Sequence, residues 1–356
     1  MKTLHSVSAS LLIFLIAISF SACQDEINST HTYRAIVPVY LQMSDVRART
    51  IVIEPGQELE NPGKIYIYGD YLLINEPQEG IHILDNTNPA NPKNLNFIPI
   101  EGNVDLAVNN NMLYADNYVD LLVFDISNIR SIRLVERVKD VFNHMYSASD
   151  TGVILTFKDS VLTSDSPNGF MERGDFFLTN ASASFASNFS GAAQSYGQGG
   201  SMARFTLMSG HLYAVDDYSL RIFDVEDPAK PKHLQNIELG WGIETIFPYK
   251  ENLFIGSNTG MHIYDASTPS NPLKLAIYQH VRACDPVVVN DQYAFVTLRN
   301  GWTCNGVNEL QVINIENLRQ PKLVKSYPML NPHGLGLVGD FLYVAEGRHG
   351  LKSFNV

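Results

Sequence analysis

"LRIFDVEDPAKPKHLQNIEL" (Leu220–Leu239) and "MHIYDASTPSNPLKLAIYQH" (Met261–His280) follow one pattern, offset by 41 residues. Each opens apolar-x-apolar-aromatic-Asp, continues through a Pro-x-x-Pro turn and ends in a second alternating run. Alternation of period two argues for strands on either side of the turn. The Asp and Pro belong there for different reasons. An Asp carboxylate accepts a backbone N–H two residues on and holds an Asx turn. Pro presets φ and cannot donate to a central ladder, so it ends the strand. This Asp set therefore reads as scaffold rather than catalytic machinery.

The pattern recurs. "IHILDNTNPANPKNLNFI" starts at Ile81, "LLVFDISNIRSIRLVERV" at Leu121 and "LQVINIENLRQPKLVKSY" at Leu310, and "LKSFNV" ends the chain. The key Asp or Asn falls at Asp85, Asp125, Asp224, Asp265, Asn314 and Asn355, with gaps of 40, 99, 41, 49 and 41 residues. Upstream of each lies a strand, a tight polar turn such as Gly69-Asp70, Ser209-Gly210 or Gly339-Asp340, and another strand. Those turns are hairpin signals. Four antiparallel strands in each 40-odd residues is the arithmetic of a β-propeller blade.

The expected fold is an all-β propeller of seven blades, counting one diverged blade in the long gap. Six blades result if residues 141–200 form none. The last repeat stops after its third strand. "YRAIVPVYLQM" (Tyr33–Met43) is expected to supply the fourth, pairing into the last blade and closing the ring without raw edges.

The repeated motif resembles the LVIVD-repeat propeller lipoproteins of Bacteroidetes. "GQGGSMARF" from Gly197, "CDPVVV" from Cys284 and "HGLGL" from His333 are also similar to that family. The resemblance covers nearly the whole chain after the leader. It implies a fold and leaves activity open, because propellers host many functions.

Composition bounds the class. The chain has 356 residues, 45% hydrophobic and 17% charged, with a formal net charge of −12. That suits a globular core and argues against nucleic acid, which asks for a basic stripe. At the N-terminus, Lys2 precedes the apolar run "LLIFLIAISF" (Leu11–Phe20), too short to span a bilayer comfortably. "FSAC" follows and looks like a lipobox, so residues 1–22 read as a lipoprotein signal peptide and Cys23 as the lipidated residue. Residues 23–32 would be a short tether, and residues 33–356 one propeller domain with a low-complexity insertion near 160–200. Asp25 and Glu26 resemble the start of a surface-export signal. The expected location is the outer membrane, with display at the cell surface.

Cys284 and Cys304 remain, and in an exported protein an even pair reads as a disulfide. The run between them reads strand–turn–strand, which brings the two ends together. "NASASFASNFSGAAQSYGQGG" (Asn180–Gly200) is rich in small polar residues with Phe and Tyr spaced through it. It reads as an insertion loop or as a surface that meets a ligand or partner.

One polar residue recurs where each inner strand begins: Lys64, Asp105, His144, Arg204, Glu244, Asp285 and His333. In a propeller these positions ring one mouth of the central channel. They can pair among themselves as solvated scaffold or converge on a small ligand. Three carboxylates would suit calcium. Two histidines would suit a transition metal. No resident cofactor is otherwise expected.

No G-x-S-x-G, H-E-x-x-H or phosphate loop is present. Trp241 and Trp302 are too few for the tryptophan pattern of quinone-dependent propellers. The expectation is a monomeric binding or interaction module for a glycan or an outer-membrane protein. The alternative is a propeller hydrolase acting on polysaccharide or small molecules at the mouth.

Overall fold

The computed structural model describes residues 31–142, 147–148, 152–164, 198–199, 201–281, 283, 286–300 and 307–356. The chain divides into two compact units, one of residues 1–40 and 155–177, the other of residues 41–154 and 178–356. The second unit is a β-propeller. Its six blades are antiparallel sheets among the described residues.

Each blade follows the repeat. Blade 1 pairs Ile65–Tyr68, Tyr71–Glu76, Gly80–Asp85 and Lys93–Pro99, with Glu54–Pro55 added outside and Gln198–Gly199 inside. Blade 2 is Leu106–Asn109, Met112–Asn117, Asp120–Asp125 and Arg133–Val138. Blade 3 is Phe205–Met208, His211–Val215, Ser219–Asp224 and Lys232–Glu238. Blade 4 is Ile243–Tyr249, Asn252–Ser257, Gly260–Asp265 and Leu273–Gln279. Blade 5 is Val287–Val289, Tyr293–Leu298, Glu309–Asn314 and Lys322–Pro328. Blade 6 has only Leu335–Val338, Phe341–Ala345 and Leu351–Asn355.

The turn after each third strand is built as the sequence leads one to expect. The side-chain oxygen of Asp85 accepts the N–H of Thr87 at 2.9 Å, Asp125 that of Ser127 at 3.0 Å, and Asp224 that of Glu226 at 2.9 Å. Asp265 does the same for Ser267 at 2.8 Å, and Asn314 for Glu316 at 3.2 Å. The prolines carry a further role. Tyr114 of blade 2 donates its hydroxyl to the Pro228 carbonyl of blade 3, and Tyr213 of blade 3 to the Pro269 carbonyl of blade 4, both at 2.8 Å. Phe254 and Phe295 stand at the same place in blades 4 and 5. All four rings are fully buried. Third strands are buried on both faces in blades 1 to 4, because each blade is sandwiched between its neighbours.

Two expectations are corrected. There is no seventh blade among the described residues: Ser147–Ala148 and the long strand Gly152–Ser164 join a three-stranded sheet with His31–Leu41 instead. The N-terminal strand does not complete the last blade either. His31–Leu41 pairs with Gly152–Ser164, which in turn pairs with Ser147–Ala148. An 11-residue strand forms a longer ladder beside a 13-residue partner than beside the five-residue strand that ends the chain. More backbone groups are satisfied that way. Blade 6 thus keeps three strands, and its last strand alternates exposed and half-buried residues. It is short and carries Lys352, both of which discourage edge pairing.

Candidate functional site

The residues that open the inner strands gather at one end of the ring. Lys64, Asp105 and Arg204 each stand immediately before the inner strand of blades 1, 2 and 3. Glu244 is the second residue of the blade 4 strand, and His333 lies two residues before that of blade 6. His144, Asp285, Cys23, Cys284 and Cys304 lie outside the described residues, and so do the lipidation and disulfide expectations.

The described members form one electrostatic chain. The Lys64 Nζ lies 3.1 Å from Asp105 Oδ2. That same oxygen accepts the backbone N–H groups of Arg204 and of Phe205, the latter at 2.9 Å. The Arg204 Nη2 meets Asp217 Oδ1 at 3.0 Å. The charge of Glu244 acts on both Arg204 and Arg299, and Arg299 acts on His333. Burial opposes the Arg204 charge, yet Asp217 holds its pKa above the ordinary value. Burial, with the like charge of Arg299, lowers the pKa of His333.

Asp105 is consumed by the scaffold. Its Oδ1 accepts the Leu106 N–H at 2.8 Å, its Oδ2 is shared as above, and its side chain is 4% exposed. Behind it, Asp116 accepts the N–H groups of Val104 and Asp105 at 2.9 Å and the Asn103 amide at 3.0 Å. Burial pushes the Asp116 carboxyl up to about 6, against those backbone hydrogen bonds. Burial likewise draws the Lys64 ammonium down, with Asp105 pulling the other way. Among the described residues no group of three or more His, Cys, Asp or Glu is arranged to hold a metal ion.

The channel is occupied by the chain itself. Gln198 and Gly199 pair with Ile67 and Tyr66 of blade 1. The Ser201 hydroxyl accepts the Leu335 N–H of blade 6 at 2.8 Å. The Ala203 carbonyl accepts the Ile246 N–H of blade 4 at 2.8 Å. Blade 3 then starts at residue 205. Residues 198–199, 201 and 203 thus tie the inner strands of blades 1, 6 and 4 together just before blade 3 begins. A ligand would meet a floored mouth, not a pore.

Asp116, Asp217 and Arg299 were not singled out from sequence, though hairpin register could have found the first. Leu106 faces Ala115, so Asp105 faces Asp116. Phe205 faces Ala214, which puts Arg204 opposite Val215 and beside the following Asp216-Asp217. In blades 2 and 3 the end of the second strand, or the turn after it, brings an aspartate to the residue that opens the first.

A model of the LVIVD repeat matches residues 62–96 and 103–140. The chain carries LVIVD repeats. The two matched LVIVD repeats coincide with blades 1 and 2, and blades 3 to 5 repeat their Asx turns. Comparison with curated proteins finds no match. Among solved structures, a protein from Lactobacillus plantarum superposes with a TM-score of 0.56 at 13% identity, over 91% of this chain and 92% of that one. A functionally unknown protein from Desulfotomaculum acetoxidans superposes with a TM-score of 0.50 at 11% identity, over 84% of each chain. At such identities the likeness is one of fold.

Proposed function

We propose that this protein is a binding module whose ligand face is the floored mouth of the propeller, held at the outer membrane by lipid on Cys23. The observation that supports it most is the chain of charged side chains through Arg204, Asp217, Glu244, Arg299 and His333, none of them fully buried. Concave ends where polar groups converge on a rigid frame are default binding sites. The floor supplied by residues 198–199 and 201–203 fixes the depth of the site. Of the carboxylates a hydrolase would call on, Asp105, Glu244 and Asp285, the first is engaged by backbone N–H groups and Lys64. That favours binding over turnover. The partner is a glycan or an outer-membrane protein.

Thermal unfolding of residues 24–356 with calcium, transition metals and a glycan panel tests the reading. A ligand at 100 times its Kd stabilises a protein by about 2.7 kcal/mol. The expected result is a rise in Tm that Arg204→Ala with Glu244→Ala abolishes. A rise those changes leave intact places the ligand elsewhere. Detergent-phase partitioning of the full chain, lost on Cys23→Ser, tests the anchor.

A further inference from the structure

We infer that the outer edge of blade 6 is a docking site for an extended segment of a partner protein, which adds to the blade as its fourth strand. The inference does not depend on the mouth reading. Among the described residues, Leu351–Asn355 pairs with Phe341–Ala345 on one side and with no strand on the other. In blades 1 to 5 the corresponding strand carries a fourth strand on that other side.

The backbone groups of the edge are divided. The Val356 N–H bonds the Asp340 carbonyl at 2.9 Å, and the Glu346 N–H bonds the Gly350 carbonyl at 2.8 Å. Bonded pairs alternate along an antiparallel ladder. In this register Lys352 and Phe354 therefore turn their backbone groups to the blade, and Leu351, Ser353 and Asn355 turn theirs outward. The complete blades use the same outward places. The Leu239 N–H bonds the Tyr218 carbonyl at 2.8 Å, and the Met329 N–H bonds the Asn308 carbonyl at 2.9 Å. That sets Leu220 and Leu310, the counterparts of Leu351, against their fourth strands. Blade 6 thus offers donors and acceptors in the spacing that an added strand needs.

The side chains say what kind of strand fits. Leu351 is 65% exposed, whereas Ile81, Leu121, Leu220, Met261 and Leu310 at its place in the other blades are no more than 1% exposed. Each of those five lies opposite an apolar residue of its fourth strand, namely Ile98, Val138, Ile237, Tyr278 or Tyr327. Four of the fourth strands begin with a cation, Lys93, Arg133, Lys232 or Lys322, opposite the Asp or Asn that closes the third strand. Asn355 holds that place in blade 6. Two residues after that first position every fourth strand has Leu or Val. The chain therefore writes out the accepted pattern: a basic residue, Leu or Val two further on, and Ile, Val or Tyr three after that. Lys352 does not repel such a strand, because its ammonium lies 2.8 Å from the carboxylate of the buried Glu346. Its charge and the shortness of the edge discourage unselective pairing. The side-chain pattern is left to choose the partner.

Fluorescein-labelled peptides copying residues 93–99, 133–138, 232–238, 273–279 and 322–328, each with short flanks, would be titrated with the full chain and read by anisotropy. The expected result is saturable binding of at least one peptide at micromolar concentration, and none by its scrambled sequence. Ser353→Pro removes an outward N–H and leaves the ladder within blade 6 intact, as proline does on the open side of an edge strand. It should abolish binding, while Ser353→Ala should bind as the native chain does. Leu351→Ser should weaken binding by roughly tenfold. Circular dichroism and Tm report whether each variant folds. If Ser353→Pro does not, N-methylation of the peptide residue that would face Leu351, Tyr327 in the blade 5 copy, breaks the same pairing from the other side. Binding that survives these changes overturns the proposal, and so does the failure of all five peptides at hundreds of micromolar. A dimer seen by sedimentation that Ser353→Pro dissolves, with no peptide bound, would give the edge to a second copy of this chain and overturn the assignment to a partner.

Discussion

The blade 1–2 side of the mouth and the blade 3–4 side start from the same position in the repeat and end in different roles. On the first side Asp105 turns inward, its side chain 4% exposed, and draws in Lys64, which is 21% exposed. Their charges hold the backbone of the next inner strand. On the second side Arg204 and Asp217 are each 26% exposed and pair with one another. The difference comes from the hairpin partner. Blade 2 brings one buried Asp116 opposite Asp105, whereas blade 3 brings two successive aspartates. Asp216 takes the buried job, accepting from Arg221 Nε at 2.9 Å and from Ser219, and so leaves Asp217 to Arg204. A charge at a repeat position is thus not a unit of function; the hairpin that contains it is.

The largest effect should come from breaking the inward side. Asp105→Ala leaves the half-buried Lys64 ammonium and three backbone N–H groups without their carboxylate. Removing one partner of a buried pair costs about 3–5 kcal/mol. Glu244→Gln, on the outward side, should cost less than about 1 kcal/mol. Urea unfolding of residues 24–356 compares them directly. Equal losses would dissolve the distinction between a scaffold half and a presenting half.

Acidity tests the same contrast more finely. The Asp116 carboxyl is pushed up to about 6 from an ordinary value of 3.8, chiefly by burial. An acid raised by folding stabilises the native state below its unfolded pKa. That contribution is lost as pH rises through the folded value. Between about pH 4 and pH 6 the wild type should therefore lose stability relative to Asp116→Asn, by about 3 kcal/mol if the whole shift is expressed. The amide keeps a carbonyl acceptor for Val104 and Asp105 and cannot ionise. Tm against pH for the two proteins, taken as a difference, reads this one group. A flat difference would mean Asp116 is ionised throughout and the inward side is less desolvated than its geometry implies.

The propeller was legible in the sequence because a blade is local. Its turns, its Asp and its third strand all lie within one repeat, and the Asx turns follow from residue type at fixed spacing. Blade count and closure were not legible, because they depend on which distant strand Gly152–Ser164 selects. The repeat count says nothing of a competing 11-residue partner at His31–Leu41. The mouth was half legible. The polar starts could be aligned, but Arg299 reaches them from the end of a second strand in another blade. The run "GQGGSMARF" could be noticed without its purpose, since its partners lie in three blades far along the chain.

A further small effect lies away from the mouth and isolates charge from rigidity. Tyr114→Phe and Tyr213→Phe each remove one hydroxyl bond, to the Pro228 and Pro269 carbonyls. Each should cost about 1 kcal/mol. Phe254 and Phe295 show that the fold tolerates a ring without the hydroxyl at this position. Tyr114 belongs to the inward side and Tyr213 to the outward side, so the two changes should be equal if blades 2 and 3 are equally well packed. Urea midpoints would measure them with unchanged m-values. If Tyr114→Phe proved much the costlier, the inward half would be the stiffer frame. The contrast at the mouth would then owe part of its size to packing. Equality leaves the buried carboxylates of Asp105 and Asp116 as the cause.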